Sequence, residues 1–136
     1  MILGIGTDLT DIRRIEKTLE RYGEQFENRI FTAREQKKAK SRKNAGKKTM
    51  AATYAKRFAA KEACAKALGT GMKKGISWHD IEVVNTSSGY PSLILHGEAR
   101  KYLKTITPKG MAAKIHLSVS DEYPFAQAMV IIEAIV

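Results

Sequence analysis

Apolar positions recur along this chain with two spacings, and the spacings mark out its elements. Ile2 to Leu9 alternates as a strand does, with Leu3, Ile5, Thr7 and Leu9 on one face and Ile2, Gly4, Gly6 and Asp8 on the other. This predicts a short buried strand whose two glycines leave room for another backbone or a ligand. Ile12, Ile15, Leu19 and Tyr22 then return at helical spacing behind Asp11, a suitable N-cap, while the opposite face carries Arg13, Arg14, Lys17 and Arg21. Thr32-Ala33-Arg34-Glu35 is a capping box, so a second helix starts near Ala33. Met50 to Leu68 is rich in alanine, lacks glycine and proline, and stops at Gly69, which predicts the longest helix. Its stripe of Ala51, Tyr54 or Ala55, Phe58, Glu62 and Ala65 puts a carboxylate on a face expected to be apolar.

The second half reads mainly as strands. Ile81 to Asn85 and Ser92 to His96 are joined through Thr86-Ser87-Ser88-Gly89, with Tyr90-Pro91 leading into the second. Glu98 to Ile106 is a short helix stopped before Thr107-Pro108-Lys109-Gly110. Ala113 to Ser120 and Phe125 to Ile135 flank Asp121-Glu122-Tyr123-Pro124 as an antiparallel hairpin. In its first strand Ile115, Leu117 and Val119 face one way, and Lys114, His116, Ser118 and Ser120 the other. With no linker and no internal repeat, the pattern predicts one α+β domain over residues 1–136, its helices packed on an antiparallel sheet.

Composition narrows the class. The 136 residues are 43% hydrophobic, which suits one folded domain and not a disordered basic tail. One cysteine, Cys64, excludes an internal disulfide and every multi-cysteine zinc pattern; among alanines in the long helix it reads as a core residue. The first residues lack a secretion signal and no stretch reaches the ~20 apolar residues of a membrane span, so a cytoplasmic protein is expected. Charge is the outlying property. Lys and Arg number 24 against 14 Asp and Glu, a net charge of +10. Such an excess points to a polyanionic partner: nucleic acid, an anionic membrane, a phosphorylated small molecule or an acidic protein. Arg34 to Lys48 alone holds eight basic residues and one acid, Glu35, and reads as a loop broken at Asn44 and Gly46.

Two acids stand in settings that suggest chemistry. Asp8 ends the glycine-containing strand, and Glu62 lies within the long helix, where burial is expensive for an unpaired carboxylate. Together they supply the one or two carboxylates that usually hold magnesium when a substrate phosphate completes its shell. Simpler roles compete: Asp8 as a helix cap, and Glu62 paired with Lys66 at i,i+4. Arg57, Lys61 and Lys66 with Gly69-Thr70-Gly71 suit a polyphosphate, although no Gly-Lys-Ser/Thr follows as in a Walker loop. His116, beside Ser118 and Ser120, is either a phosphate ligand or a structural histidine. The chief rival is a small basic RNA- or ribosome-binding protein, against which stand only 7% aromatic residues and no recognisable nucleic-acid reader.

Taken in order, these segments resemble a family. Gly4-Ile5-Gly6-Thr7-Asp8, Arg57-Phe58-Ala59-Ala60-Lys61-Glu62-Ala63, Ala67-Leu68-Gly69-Thr70-Gly71, Gly89-Tyr90-Pro91 and His116-Leu117-Ser118-Val119-Ser120 are similar to those of the short bacterial 4′-phosphopantetheinyl transferases, the holo-acyl-carrier-protein synthases. The resemblance implies the fold of that family. It also implies transfer of 4′-phosphopantetheine from coenzyme A to a serine of apo acyl carrier protein, for fatty acid biosynthesis, with release of adenosine 3′,5′-bisphosphate. By the same resemblance Asp8 and Glu62 are magnesium ligands and Lys66 contacts phosphate and assists the leaving group. Arg57, Lys61, Gly69, Thr70, Gly71 and His116 line the coenzyme A site, and the first helix, chiefly Arg14 and Arg21, docks the acidic carrier protein. The family resemblance further implies a homotrimer with sites at subunit interfaces, consistent with a last strand apolar on both faces. Asp121 stands where that family usually has a histidine. The lysine-rich segment with Lys43, Lys47 and Lys48 is expected to contact the coenzyme A 3′-phosphate or the carrier protein.

Overall fold

Two glycines decide how closely the layers approach. In the computed structural model, which describes residues 1–136, strand β1 (Ile2–Asp11) lies against the long helix α4 (Lys47–Leu68). A Cβ on Gly4 would overlap the carbonyl oxygen of Ala67, and one on Gly6 that of Ala63. The room left by the glycines is therefore filled by another backbone, and helix meets strand without side chains between them. The glycine and Asp8 face is the one turned to the helix. The opposite face of β1, read from the sequence as buried, is open: Ile5 is 61% and Leu9 64% exposed.

β1 pairs antiparallel with β5 (Phe125–Ile135), from Ile2 opposite Glu133 to Asp11 opposite Phe125, and β5 pairs in turn with β4 (Ala112–Glu122). The three strands lie in the order β1-β5-β4. Alternation along β5 sends Ala126, Ala128, Val130, Ile132 and Ala134 into the core, while Phe125, Met129 and Ile135 remain exposed on the other side. The hairpin of β2 (Ile81–Asn85) and β3 (Pro91–Leu95) forms a second, two-stranded sheet and does not extend the first, so the antiparallel layer is divided. Val83, Leu93 and Leu95 nevertheless reach the core built by Ala60, Cys64 and Leu68 of α4, and Tyr102 and Leu103 of α5 (Gly97–Ile106) cover it.

A second core surrounds the start of α4. Ile12 and Ile15 of α1 (Ile12–Tyr22), Ile30 of α2 (Glu24–Ile30), Phe31, Ala39 of α3 (Ala33–Ser41) and Tyr54 meet there. The Asp11 carboxylate accepts from the Arg13 amide at 2.9 Å, so Asp11, not Asp8, caps α1. The capping box is present in both directions: Glu35 N–H donates to Thr32 Oγ1 at 3.2 Å and Thr32 N–H to Glu35 Oε1 at 2.8 Å. Helix α2 has no counterpart in the sequence reading, because its seven residues follow Gly23 directly with no side-chain cap.

The lysine-rich segment is mostly helical. α3 runs to Ser41 and α4 begins at Lys47, earlier than Met50, with only Arg42–Gly46 between them, including one 3-10 turn. Lysine is a good helix former, and the break is set by Gly46 at φ 115°. α4 itself is enclosed on most sides by alanine-sized contacts. No helix is long and apolar enough to cross a membrane.

Candidate active site

Asp8 and Glu62 approach one cleft from two elements. Asp8 projects from β1 on the side facing α4, and Glu62 from the half-open side of that helix. The cleft, of about 410 Å³, is also lined by Thr10, Arg14, Phe58 and Lys66. Asp8 is held at both oxygens: Thr10 Oγ1 donates to Oδ2 at 2.9 Å, and Lys66 Nζ lies 3.2 Å from Oδ1 while donating to the Thr7 carbonyl at 2.8 Å. Lys66 thus pairs with Asp8 across the interface and not with Glu62 along its own helix. Glu62 is half-buried, not the core carboxylate its place on the stripe suggested. Burial first, and then the Asp8 charge, push its carboxyl pKa above the usual range against the opposing pull of Lys66. Two carboxylates from different elements, one of them costly to ionise and only Asp8 paired with a lysine, form an oxygen donor set open to a cation. A magnesium ion, which takes one or two protein carboxylates and completes its shell with water and phosphate oxygens, fits that set.

The most deeply buried acid is Glu35, whose side chain also completes the α3 capping box. Its carboxylate is 1% exposed, lies 2.8 Å from Lys61 Nζ and accepts from the Val83 amide at 2.8 Å. Lys61 Nζ also donates to the carbonyls of Trp78 and Ile81, at 2.9 and 2.6 Å, and is wholly enclosed. Burial lowers its pKa against the pull of Glu35. This corrects the place given to Lys61 beside coenzyme A: its three donors are taken and no surface of it is free. Only position in α4 separates it from Glu62, one residue or about 100° around the helix.

Gly69-Thr70-Gly71 does not offer the exposed amides that its sequence suggested. Gly69, at φ 83°, ends α4 in the left-handed conformation, and its amide donates to Lys66 O at 3.0 Å. The Thr70 and Gly71 amides both donate to Ala65 O, at 3.3 and 3.1 Å. All three N–H groups close the helix C-terminus, leaving none to cradle a phosphate.

Arg57 opens instead onto a second cleft of about 560 Å³, with Lys38, Arg42, Lys48, Lys56 and Asp121. One guanidinium nitrogen donates to Asn85 Oδ1 at 2.8 Å, and the buried Nε has no partner. Lys48 and Arg42 bring the lysine-rich segment to this cleft; Lys43 and Lys47 do not line it. Six residues, or about 240° of helical rotation, separate Lys56 from Glu62, so the clefts open on different sides of α4.

His116 joins neither cleft. It lies on the open face of the three-stranded sheet, in register with Ile131 and Ile5, and its Nε2 is 2.9 Å from Glu133 Oε1. Strand alternation puts it on the side opposite Asp8. Arg14 lines the Asp8 cleft, whereas Arg21 stands beyond it against the Tyr22 ring, 5.3 Å from its centroid. Neighbouring Arg13 is held by Asp11 at 2.7 Å.

Residues 4–128 match the model of the 4′-phosphopantetheinyl transferase superfamily. The chain is 58% identical over 135 residues to the holo-[acyl-carrier-protein] synthase of Brucella ovis, covering 99% of this chain and 97% of that one. Among solved structures it is similar to the holo-[acyl-carrier-protein] synthase of Neisseria meningitidis, with 37% identity, a TM-score of 0.79, and 98% and 99% of the two chains covered. The corresponding Bacillus anthracis protein, described in complex with CoA (3′,5′-ADP), is 39% identical with a TM-score of 0.76, over 97% of this chain and 96% of that one.

Proposed function

Because this chain belongs to the 4′-phosphopantetheinyl transferase superfamily, we propose that it transfers 4′-phosphopantetheine from coenzyme A to a serine of an apo acyl carrier protein. The observation that carries this reading is the convergence of Asp8, Glu62, Lys66 and Arg14 on one cleft. The serine oxygen bonds to the pantetheine-side phosphorus of the pyrophosphate, the bond from that phosphorus to the bridging oxygen breaks, and adenosine 3′,5′-bisphosphate departs. The serine proton passes to water or to a carboxylate at the cleft.

Asp8 and Glu62 would hold magnesium, which when bound neutralises the pyrophosphate and polarises the attacked phosphorus. Thr10 fixes the Asp8 carboxylate in orientation. Lys66, exposed and already turned to Asp8, moves onto phosphate and stabilises the charge gathering on the leaving group. Phosphoryl transfer needs mainly such positioning and charge stabilisation, and these residues supply both. Arg14 sits where an acidic carrier protein entering along α1 would bring its serine to the cleft, with Arg21 further along the same docking surface.

The second cleft takes the 3′-phosphate of coenzyme A in this reading, through Arg57, Arg42 and Lys48. A homotrimer reconciles the separate clefts. The open sheet face carries Ile5, Leu9, Phe125, Met129 and Ile135, an apolar surface that a second copy would cover. His116 on that face would then serve the site of a neighbouring copy, and one coenzyme A would draw on two chains. A cytoplasmic location remains part of the proposal.

The test is direct. The protein is incubated with coenzyme A, magnesium and apo carrier protein, and the carrier is weighed by mass spectrometry. A phosphopantetheine adduct that is lost in Asp8→Ala and Glu62→Ala is expected. Absence of the adduct with the unsubstituted protein overturns the proposal.

A further inference from the structure

The second cleft contains an anion of its own. Of the charged side chains lining it, Lys38, Arg42, Lys48, Lys56 and Arg57 are cationic and Asp121 alone is acidic. Asp121 Oδ1 lies 2.9 Å from Lys56 Nζ, with both side chains about one-third exposed, at 34% and 29%. The other cations are differently engaged. Lys48 Nζ stands 4.6 Å from the Tyr123 ring centroid, Arg57 donates to Asn85 while its buried Nε is unpartnered, and no carboxylate lies within ion-pair distance of Lys38 or Arg42. Lys56 is therefore the one cation of the cleft already neutralised from within.

That arrangement has a consequence for any phosphate that enters. The dianion gains the field of five cations but approaches the Asp121 carboxylate, and it reaches Lys56 only by taking it from Asp121. The pair is partly exposed, so exchange is possible: such ion pairs are weak enough to be broken by a stronger anion. A carboxylate fixed among phosphate-binding cations lowers affinity for bound and leaving polyanion alike, and product release sets the turnover of many enzymes.

We propose that Asp121 is a specificity-determining residue that competes with the phosphate monoester of the adenosine moiety for Lys56, keeping its binding in this cleft moderate and exchangeable. The proposal rests on the reading that the cleft receives the 3′-phosphate of coenzyme A. Removing the competitor tightens a ligand that carries this phosphate, and leaves one without it nearly unaltered. Removing Lys56 shrinks the difference, because Asp121 then has nothing to withhold and acts only through its direct repulsion of the phosphate.

The test is calorimetric titration of the full-length protein with adenosine 3′,5′-bisphosphate and with adenosine 5′-monophosphate. Asp121→Asn is expected to tighten the bisphosphate by roughly two- to fivefold, the range of a partly exposed ion pair, while the monophosphate changes by less than half as much. Lys56→Gln is expected to weaken the bisphosphate, and Asp121→Asn added to Lys56→Gln to raise the ratio by less than it does with Lys56 present. If the bisphosphate binds the unsubstituted protein no better than the monophosphate, the cleft does not read that phosphate and the proposal falls with that assignment. If it binds better but Asp121→Asn leaves the ratio unchanged, lowers it, or raises it equally without Lys56, the role of Asp121 alone is overturned. The carrier-protein mass assay reports on transfer independently of both.

Discussion

Gly6 of the first strand lies so close to Ala63 of the long helix that a single methyl group on the glycine would overlap the Ala63 carbonyl oxygen. This contact sets the distance between the two elements that carry Asp8 and Glu62. Gly6→Ala is expected to destabilise the protein by about 3 kcal/mol, the upper end for overpacking, because the obstacle is backbone and not a movable side chain. Denaturant unfolding checks the stability. The Mg²⁺ response of any folded fraction should fall as well, since separating strand from helix separates the two carboxylates.

Adjacent turns of the same helix carry two lysines with opposite expectations. Lys61→Met leaves the enclosed Glu35 without its counter-charge and should cost about 3–5 kcal/mol. Adding Glu35→Gln should recover part of that loss. Lys66 is exposed, so Lys66→Met should leave the unfolding midpoint near its original value and lower kcat/KM by about 10²-fold. Loss of stability in Lys66→Met, or a stable Lys61→Met, would contradict the division of roles.

Magnesium should stabilise the folded protein through Asp8 and Glu62, by about 2.7 kcal/mol at a concentration 100 times its dissociation constant. Thermal melts with and without the ion measure this. Glu62 must be ionised to bind, and its pKa is raised by burial and by Asp8. The magnesium shift should therefore fade on acidification while ordinary carboxylates, near ~4.3, are still ionised. In metal-free protein the sign reverses. A raised carboxyl pKa contributes stability at low pH that is lost as pH rises through it, so Glu62→Gln should melt higher than the unsubstituted protein at neutral pH and show no magnesium response.

Glu82 provides the opposite case. Burial alone would raise its pKa, but hydrogen bonds from Thr32, His96 and Arg34 outweigh burial and lower it. Its contribution to stability is present above the unfolded value of ~4.3 and is lost as pH falls through the lower folded value. Unfolding free energies measured from pH 7 to 3 should drop less steeply in Glu82→Gln, which starts from a lower plateau.

The exposed sheet face should govern assembly. Met129 is 40% exposed at its centre. Met129→Lys is expected to lower the solution mass measured by light scattering to that of one chain, with little change in the unfolding of the monomer itself.

Much of this molecule was legible along the chain because the relevant physics is local. Asp11 and Thr32 with Glu35 announced helix starts, Gly69 announced a stop, and the run Phe125 to Ile135, read as the second strand of a hairpin, is β5 to the residue. The ordered segments around Asp8, Arg57 to Ala63 and His116 carried the family resemblance. Helix α2 was not legible, since seven residues without a capping side chain leave no periodic or terminal signal. Nor was the division of the strands between two sheets, because a hairpin read locally does not say which edge it joins.

The tertiary structure alone decided which charges share a site. Sequence spacing identified Asp8 and Glu62 as unusual acids and Arg57, Lys61 and Lys66 as their basic neighbours. It could not say that Lys61 turns inward to Glu35 while Lys66 turns outward to Asp8, or that Arg57 faces another cleft. Helical rotation by 100° per residue makes sequence neighbours point apart, and only packing fixes which direction is inside. For the same reason the glycine face of β1, and not its apolar face, is the one against the helix: close backbone approach outweighs the burial of Ile5 and Leu9, which are left to another surface.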